Sequence, residues 1–267
     1  MPEAFEAAWL TQRRAADRQA RSTELAEALA HWAAPRDGCR LLDLGAGSGA
    51  NAAFLASFLP RPHHWCLVDH DAALLGLAAD ELAVQPGVTA ATRVADLATV
   101  ADWALEGQDV VTASALLDLV SAAWLEAVIA GAARERAALL FALSYNGEVS
   151  WSPRLPGDDD AREAFNAHQR RDKGLGAALG PNAPAVAAAT ARRYGYRVQR
   201  RATPWVLGAS AAELQAALLA GRYQSALEQQ PEDAAALAEW AAARQTRIDT
   251  GDSTVRVGHD DILALPP

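Results

Sequence analysis

The sequence predicts an α/β chain built on a mostly parallel sheet with helices on both faces. Three observations predict it. Short apolar runs at 39–45, 64–69, 87–97, 109–117 and 137–147 are separated by segments of helical length. The runs are largely continuous rather than alternating, the pattern of strands covered on both sides. The connections are also long enough for right-handed crossovers between parallel strands.

Taken in order, Phe5, Ala8 and Trp9, then Leu25, Ala28, Leu29 and Trp32, recur at helical spacing. Residues 1–38 therefore read as two helices, or one broken near Ser22. "CRLLDLG" (39–45) is a buried strand, followed by a glycine-rich turn and a helix over 49–59 that "PRP" at 60–62 stops. "HWCLVD" (64–69) is a second strand, and Asp71 caps a helix running to Ala83. "GVTAATRVADL" (87–97), "DVVTASALL" (109–117) and "AALLFALSYNG" (137–147) supply three more strands, with a helix over 121–134, so that 39–147 forms one core.

Residues 148–184 then mix proline, glycine and charge around one short helical piece, and predict a cap over the carboxyl ends of the strands. The acids Asp158, Asp159 and Asp160 read there as a solvated loop. A helix over 183–194 leads to a strand at 196–207, and 210–249 carries two or three amphipathic helices. A last strand begins within 253–265 and pairs antiparallel with 196–207 at the sheet edge. Residues 185–267 thus complete a seven-stranded sheet around a helical insertion.

The 267 residues are 51% hydrophobic, enough for a sizeable core. With 24 basic against 33 acidic residues the formal charge is -9, which argues against a nucleic-acid partner. "ARRYGYRVQRR" (191–201) is the one notable basic cluster and reads as a solvated helix end and edge strand. Cys39 and Cys66 make no disulfide framework. Neither a signal-peptide pattern nor a membrane-length apolar stretch is evident, so the expectation is a soluble cytoplasmic chain, as a monomer or a homodimer.

Function turns on "LLDLGAGSGANAAF" (41–54). Gly45, Gly47 and Ala50 formally fit a dinucleotide turn, whose backbone approaches a pyrophosphate at a helix start. Asp43, two residues before Gly45, is expected to turn its carboxylate to the ligand mouth and so argues for another ligand: it would repel a pyrophosphate and attract an ammonium group. S-adenosylmethionine offers a sulfonium and an ammonium with no phosphate.

With these residues in view the chain resembles the class I S-adenosylmethionine-dependent methyltransferases. "LLDLGAGSG" (41–49) matches their first motif, hydrophobic-hydrophobic-Asp-x-Gly-x-Gly-x-Gly, which carries Asp43, Gly45, Ala46, Gly47 and Gly49. "LVDHD" (67–71) matches the acid ending the second strand, so the resemblance gives Asp69 the ribose hydroxyls, with His70 beside it. "ADL" (95–97) matches the acid after the third strand, giving Asp96 the adenine amino group and Leu97 the ring. "DVVTASALLDLV" (109–120) resembles the fourth-strand motif, where Ser114 and Ala115 border the methionine part, and Asn51 is a further polar contact. The resemblance implies a Rossmann-like fold, S-adenosyl-L-methionine as cofactor and S-adenosyl-L-homocysteine as product. It covers 39–146 and leaves 148–184 and 208–267 without a named substrate.

Methyl transfer needs an aligned nucleophile, a dry site and sometimes a base. Asp118, near the mouth of the fourth strand, reads as a base or substrate anchor, or as a cap for the helix over 121–134. Tyr145 and Asn146 end the fifth strand and face substrate on the same resemblance. In "FNAHQRRDKGLG" (165–176), Asn166, Arg170, Arg171 and Lys173 suit an anionic group, and His168 could accept a proton. A helical start puts Phe165 and Gln169 on one face there, Asn166 and Arg170 on another. His259 and Asp260, in "VGHDD" (257–261), are weaker candidates, and no ligand-spaced metal cluster stands out. The reading is methyl transfer to oxygen or nitrogen of a polar small molecule, anionic ones included. Its rivals are a nicotinamide-dependent oxidoreductase and a cofactor-binding protein that transfers no methyl group.

Overall fold

The computed structural model describes residues 7–102 and 105–267; Phe5 of the first predicted helix lies outside them. Two helices open the chain, α1 (Ala7–Ala20) and α2 (Thr23–Ala33), broken where Ser22 caps α2 by accepting from the Leu25 N–H. Strand β1 (Cys39–Leu44) leads through the glycine turn to α3 (Ala50–Ala56). Then come β2 (His63–Asp69), α4 (Ala72–Ala83), β3 (Val88–Val94), β4 (Val110–Ser114) and α5 (Ala122–Arg134). Asp71 caps α4 through the N–H groups of Ala73 and Leu74, as its position predicts.

Beyond α5 the sequence reading and the structure part company in three places. Strand β5 (Ala138–Ser152) runs five residues past the expected end at Gly147, its exposure rising where it leaves the covered part of the sheet. The acidic run starts a helix, α6 (Asp158–His168), instead of lying in a solvated loop. Asp158 is enclosed there: its carboxylate accepts from Arg244 Nε at 2.8 Å and Trp240 Nε1 at 2.9 Å. After α7 (Ala183–Arg193), the run at 196–207 divides into β6 (Arg197–Ala202) and β7 (Trp205–Leu207) around Pro204, which has no N–H for a ladder. Two helices, α8 (Ala212–Gln229) and α9 (Ala234–Asp249), precede β8 (Thr254–Leu265).

The strands form one mixed sheet in the order β3-β2-β1-β4-β5-β8-β6, with β7 also paired to β8. Neighbours from β3 to β5 are parallel, and β8 runs antiparallel to both β5 and β6. The antiparallel strand therefore lies one place inside the edge, which β6 forms. One face of the sheet packs Leu41, Leu67 and Leu140 against α2, α3 and α4; the other packs Leu42, Val111 and Phe141 against α5 and α7. Each Leu in these layers is worth about 1.5–3 kcal/mol on burial. A third cluster joins Trp151 of β5 and Val255 of β8 to Ala164, Leu219 and Trp240 from α6, α8 and α9, making a cap at the carboxyl end of the sheet. Among the described residues no helix is long and apolar enough to cross a membrane.

Candidate functional site: a nucleotide-type cavity and an adjoining chamber

A cavity opens where β1, β2, β3 and β4 end. The turn after β1 holds Gly45, Gly47 and Gly49 at φ of 66°, 51° and 85°, a region that favours glycine. Gly45, Ala46 and Gly47 line the cavity. Gly49 lies under it, and a Cβ there would come within 2.8 Å of Ala78 on α4. The third glycine thus serves close packing of turn on helix, the first two the approach of backbone to a ligand.

Asp69 and His70 line the cavity at the end of β2, Asp96 and Leu97 after β3, and Ser114 and Ala115 at the end of β4. Asp69 Oδ2 accepts from the Gly47 N–H at 2.8 Å and Oδ1 from the Asp71 N–H at 3.0 Å, so this carboxylate also holds the turn in shape. His70 Nδ1 lies 3.0 Å from the same carboxylate. Asp96 Oδ1 accepts from the Ala98 N–H at 2.9 Å, and Trp124 Nε1 pins the Leu97 carbonyl at 2.6 Å. Lys173, expected at a substrate, lines this cavity too, together with Leu10 and Asp17 of α1.

Asp43 is placed otherwise than its position suggests. Its side chain is buried and absent from the cavity wall, because Asn51 stands between them. Asn51 Nδ2 donates to Asp43 Oδ1 at 2.7 Å and to Thr112 Oγ1 at 3.0 Å, while its Oδ1 accepts from Arg21 Nη1 at 2.8 Å. Burial, only partly opposed by Asn51 and Arg21, pushes the Asp43 carboxyl up to about 7. The same burial lowers the Arg21 guanidinium from its ordinary value. Asn51 itself lines the cavity. The acids that do so are Asp17, Asp69 and Asp96.

A second chamber adjoins the first, and Arg13, Ala115 and Leu119 belong to both walls. Asp118, four residues past the end of β4, and Tyr145, midway along β5, line it. Asp118 is not the cap of α5; Ser121 is, accepting from the Trp124 N–H at 3.2 Å. The Tyr145 hydroxyl donates to Asn166 Oδ1 at 2.7 Å, and burial raises its pKa above the ordinary phenol value. Phe165 and Gln169 share the face of α6 that looks into the chamber. Two non-glycine residues at its walls, Ala115 and Leu143, hold positive φ of 51° and 49°, a strain typical of functional strand ends.

Several expected substrate residues lie elsewhere. His168 is buried behind the chamber with Nε2 3.1 Å from Glu228 Oε2, and desolvation pulls its pKa down. Arg171 donates to the Glu228 carbonyl at 2.9 Å and Arg170 to the Asn166 carbonyl at 3.3 Å; neither lines a cavity wall described above. Asn166 positions Tyr145 rather than facing the chamber, and donates to the Gly147 carbonyl at 3.0 Å. Asn146 turns toward Asp260, with 3.3 Å between Nδ2 and Oδ1. Asn166 and His168 stand on the face of α6, and Asn146 on the face of β5, turned away from the hollow, while Arg170 and Arg171 follow the end of α6. Asp260 pairs with Arg200, whereas His259 does line the chamber.

Arg13, Trp205 and Arg222 escaped the sequence reading. Arg222 left one legible signal. It falls on the apolar stripe of α8, four residues after Leu218 and four before Ala226, where a charge has no ordinary place. Among the described residues no group of three or more His, Cys, Asp or Glu side chains could hold a metal ion.

Strand order and glycine turn together give a Rossmann-like fold, and this fold is shared with solved methyltransferase structures. Among solved structures, YcgJ from Bacillus subtilis superimposes with a TM-score of 0.52 at 15% identity, over 92% of this chain and 99% of that one. A candidate methyltransferase from Bacillus halodurans gives 0.51 at 14%, over 91% and 97%. A methyltransferase from Geobacter sulfurreducens in complex with S-adenosyl-L-homocysteine gives 0.48 at 18%, over 98% and 99%. No protein-family model matches the chain, and no curated protein matches it.

Proposed function

We propose that the protein binds S-adenosyl-L-methionine in the first cavity and transfers its methyl group to an oxygen or nitrogen of a small molecule in the second chamber. The observation that carries this reading is the shared wall at Ala115 and Leu119, which sets the two spaces side by side at the end of β4. The first cavity suits a cationic nucleoside. Asp17, Asp69 and Asp96 supply acceptors, and Leu10, Leu74, Leu97 and Leu116 supply apolar surface for a flat base. Against them stand Arg13, which is paired with Asp17 at 2.8 Å, and Lys173. That balance disfavours a pyrophosphate.

The cofactor supplies a methyl group already activated by sulfonium. A lone pair on the acceptor forms the new bond as the carbon–sulfur pair returns to sulfur, and a proton then leaves the acceptor. Asp118 is the carboxylate in the chamber able to take that proton or to anchor the acceptor, and Tyr145, held by Asn166, orients it. The cap packs side chains around the chamber, which fits a small molecule better than an extended polymer.

Calorimetric titration with S-adenosyl-L-methionine and S-adenosyl-L-homocysteine tests the reading, with NADH and NADPH as controls. Saturable binding of the first two alone is the expected result. Binding of a nicotinamide dinucleotide, or of none of the four to folded protein, would overturn it.

A further inference from the structure

Among the described residues, half of the buried side-chain polar atoms without a hydrogen-bond partner face one place. Arg222 Nε and Nη1, Trp205 Nε1, His259 Nδ1 and Gln169 Oε1 are all buried without a hydrogen-bond partner, and all four residues line the second chamber. Buried polar groups are ordinarily paired, and each one left open costs about 1–3 kcal/mol, more when charged. Arg222 is the costliest, since it is a cation only 5% exposed to solvent.

Its surroundings explain which part of the guanidinium is open. The Phe165 ring lies 4.2 Å from its central carbon and the Tyr145 ring 5.6 Å, so aromatic faces cover the plane. The in-plane N–H groups at Nε and Nη1 stay unused. A second guanidinium, Arg13, lies 5.0 Å from the Trp205 ring on another wall. The two cations, with desolvation foremost, hold His259 neutral by lowering its pKa to about 3. Asp118 is the acid on this wall, and apart from Ser225 the remaining surface is mainly aromatic or aliphatic, with Trp9, Trp205, Tyr145, Phe165, Leu143 and Val257.

We infer that the chamber takes an aromatic carboxylic acid, its carboxylate on Arg222 and its ring between the aromatic walls. This deepens the reading above and rests on it for the claim that the occupant is a methyl acceptor. Arg222 is then the specificity-determining residue. The buried cation is kept because its partner arrives with the substrate, and the open Trp205 and His259 nitrogens serve substituents on the ring.

The test uses the full chain, with and without S-adenosyl-L-homocysteine, and follows the fluorine resonances of 4-fluorobenzoate, 4-fluorobenzamide and, by competition, cyclohexanecarboxylate. Wild-type protein is expected to bind the benzoate saturably at millimolar concentration, and the amide and the saturated acid roughly tenfold more weakly. Arg222→Met should weaken the benzoate by roughly ten- to hundredfold, the size of a charge-assisted hydrogen bond, and leave S-adenosyl-L-homocysteine affinity unchanged. Arg154→Met, on the exposed surface, should change neither.

Equal binding of acid and amide, no saturable benzoate binding, or an unaffected Arg222→Met would overturn the inference. Cyclohexanecarboxylate binding as tightly as benzoate would overturn its aromatic part. The acid–amide comparison needs only wild-type protein, so a misfolded variant leaves the question decidable. Loss of S-adenosyl-L-homocysteine binding alone strikes the proposed function, while failed acid selectivity with that binding intact strikes this inference.

Discussion

The floor of the nucleotide-type cavity and the wall of the adjoining chamber handle buried polarity in opposite ways. Under the cavity, Asn51 uses both ends of its amide to join Arg21, Asp43 and Thr112, and Asp261 accepts from Arg21, Ser22, Leu143 and Thr203, which leaves Asp43 Oδ2 as the one buried side-chain atom of this group without a partner. Around the chamber Arg222 Nε and Nη1, Trp205 Nε1 and His259 Nδ1 have no hydrogen-bond partner. A network in which nearly every group is paired fixes shape whatever is bound, whereas an open one can be completed by a ligand. On the proposed function, the difference separates the cavity assigned to the cofactor from the chamber assigned to the acceptor.

The comparison can be broken by substitution. Asn51→Leu is expected to have the largest effect, because it strands the buried Arg21 and Asp43 together. A loss of about 3–5 kcal/mol in denaturant unfolding is expected, as for breaking a buried charged pair.

Asp43→Asn should reveal the buried proton. The Asp43 carboxyl is pushed up to about 7 in the folded chain from an ordinary value near 3.8. A raised carboxylate keeps its proton in the folded state while the unfolded chain has lost it. Its contribution to stability therefore falls as pH rises from about 4 to about 7 and is level outside that window. The variant should gain on wild type by an amount on the order of 1 kcal/mol or more across this range, read from urea unfolding at each pH. A difference independent of pH would show that Asp43 is ionised throughout.

Gly49→Ala follows, at about 1–3 kcal/mol, since a Cβ at φ 85° meets Ala78 at 2.8 Å. Thermal unfolding reads it, and cofactor affinity should fall with it as the turn shifts. Gln169→Leu should have the smallest effect. It removes an unpaired buried oxygen from the chamber, so stability should stay within about 0.5 kcal/mol or rise slightly. A clear loss would mean that the chamber network is closed after all.

The same contrast explains what the sequence disclosed. The cofactor side was legible because its residues sit at the ends of consecutive strands within 43–115, each beside a local pattern of glycine turn, strand-end acid or capping acid. The strands were readable to within a few residues where helices cover both faces. The signal weakened in β5 beyond Tyr145, where one side of the strand leaves the core. Asp43 was misplaced because sequence spacing gives distance from the turn but not the direction of the side chain. The chamber was harder still. Trp9, Trp205, Arg222 and His259 come from α1, β7, α8 and β8, and only the crossing of the chain at β8 brings them together. Local composition at 165–176 drew attention to Arg170 and Arg171, which face outward, while Phe165 and Gln169 of the same stretch face in.

The length of strands β5 and β8 has a last consequence. The cap is rooted in them through the pairs Val149 with Val257 and Trp151 with Val255, and Arg244 of α9 reaches back to Asp158 and the Pro153 carbonyl. Cutting it out would shorten two neighbouring strands of the main sheet. Such a pocket cannot be traded between proteins as a detachable module; a new acceptor has to be accommodated by changing its lining one side chain at a time.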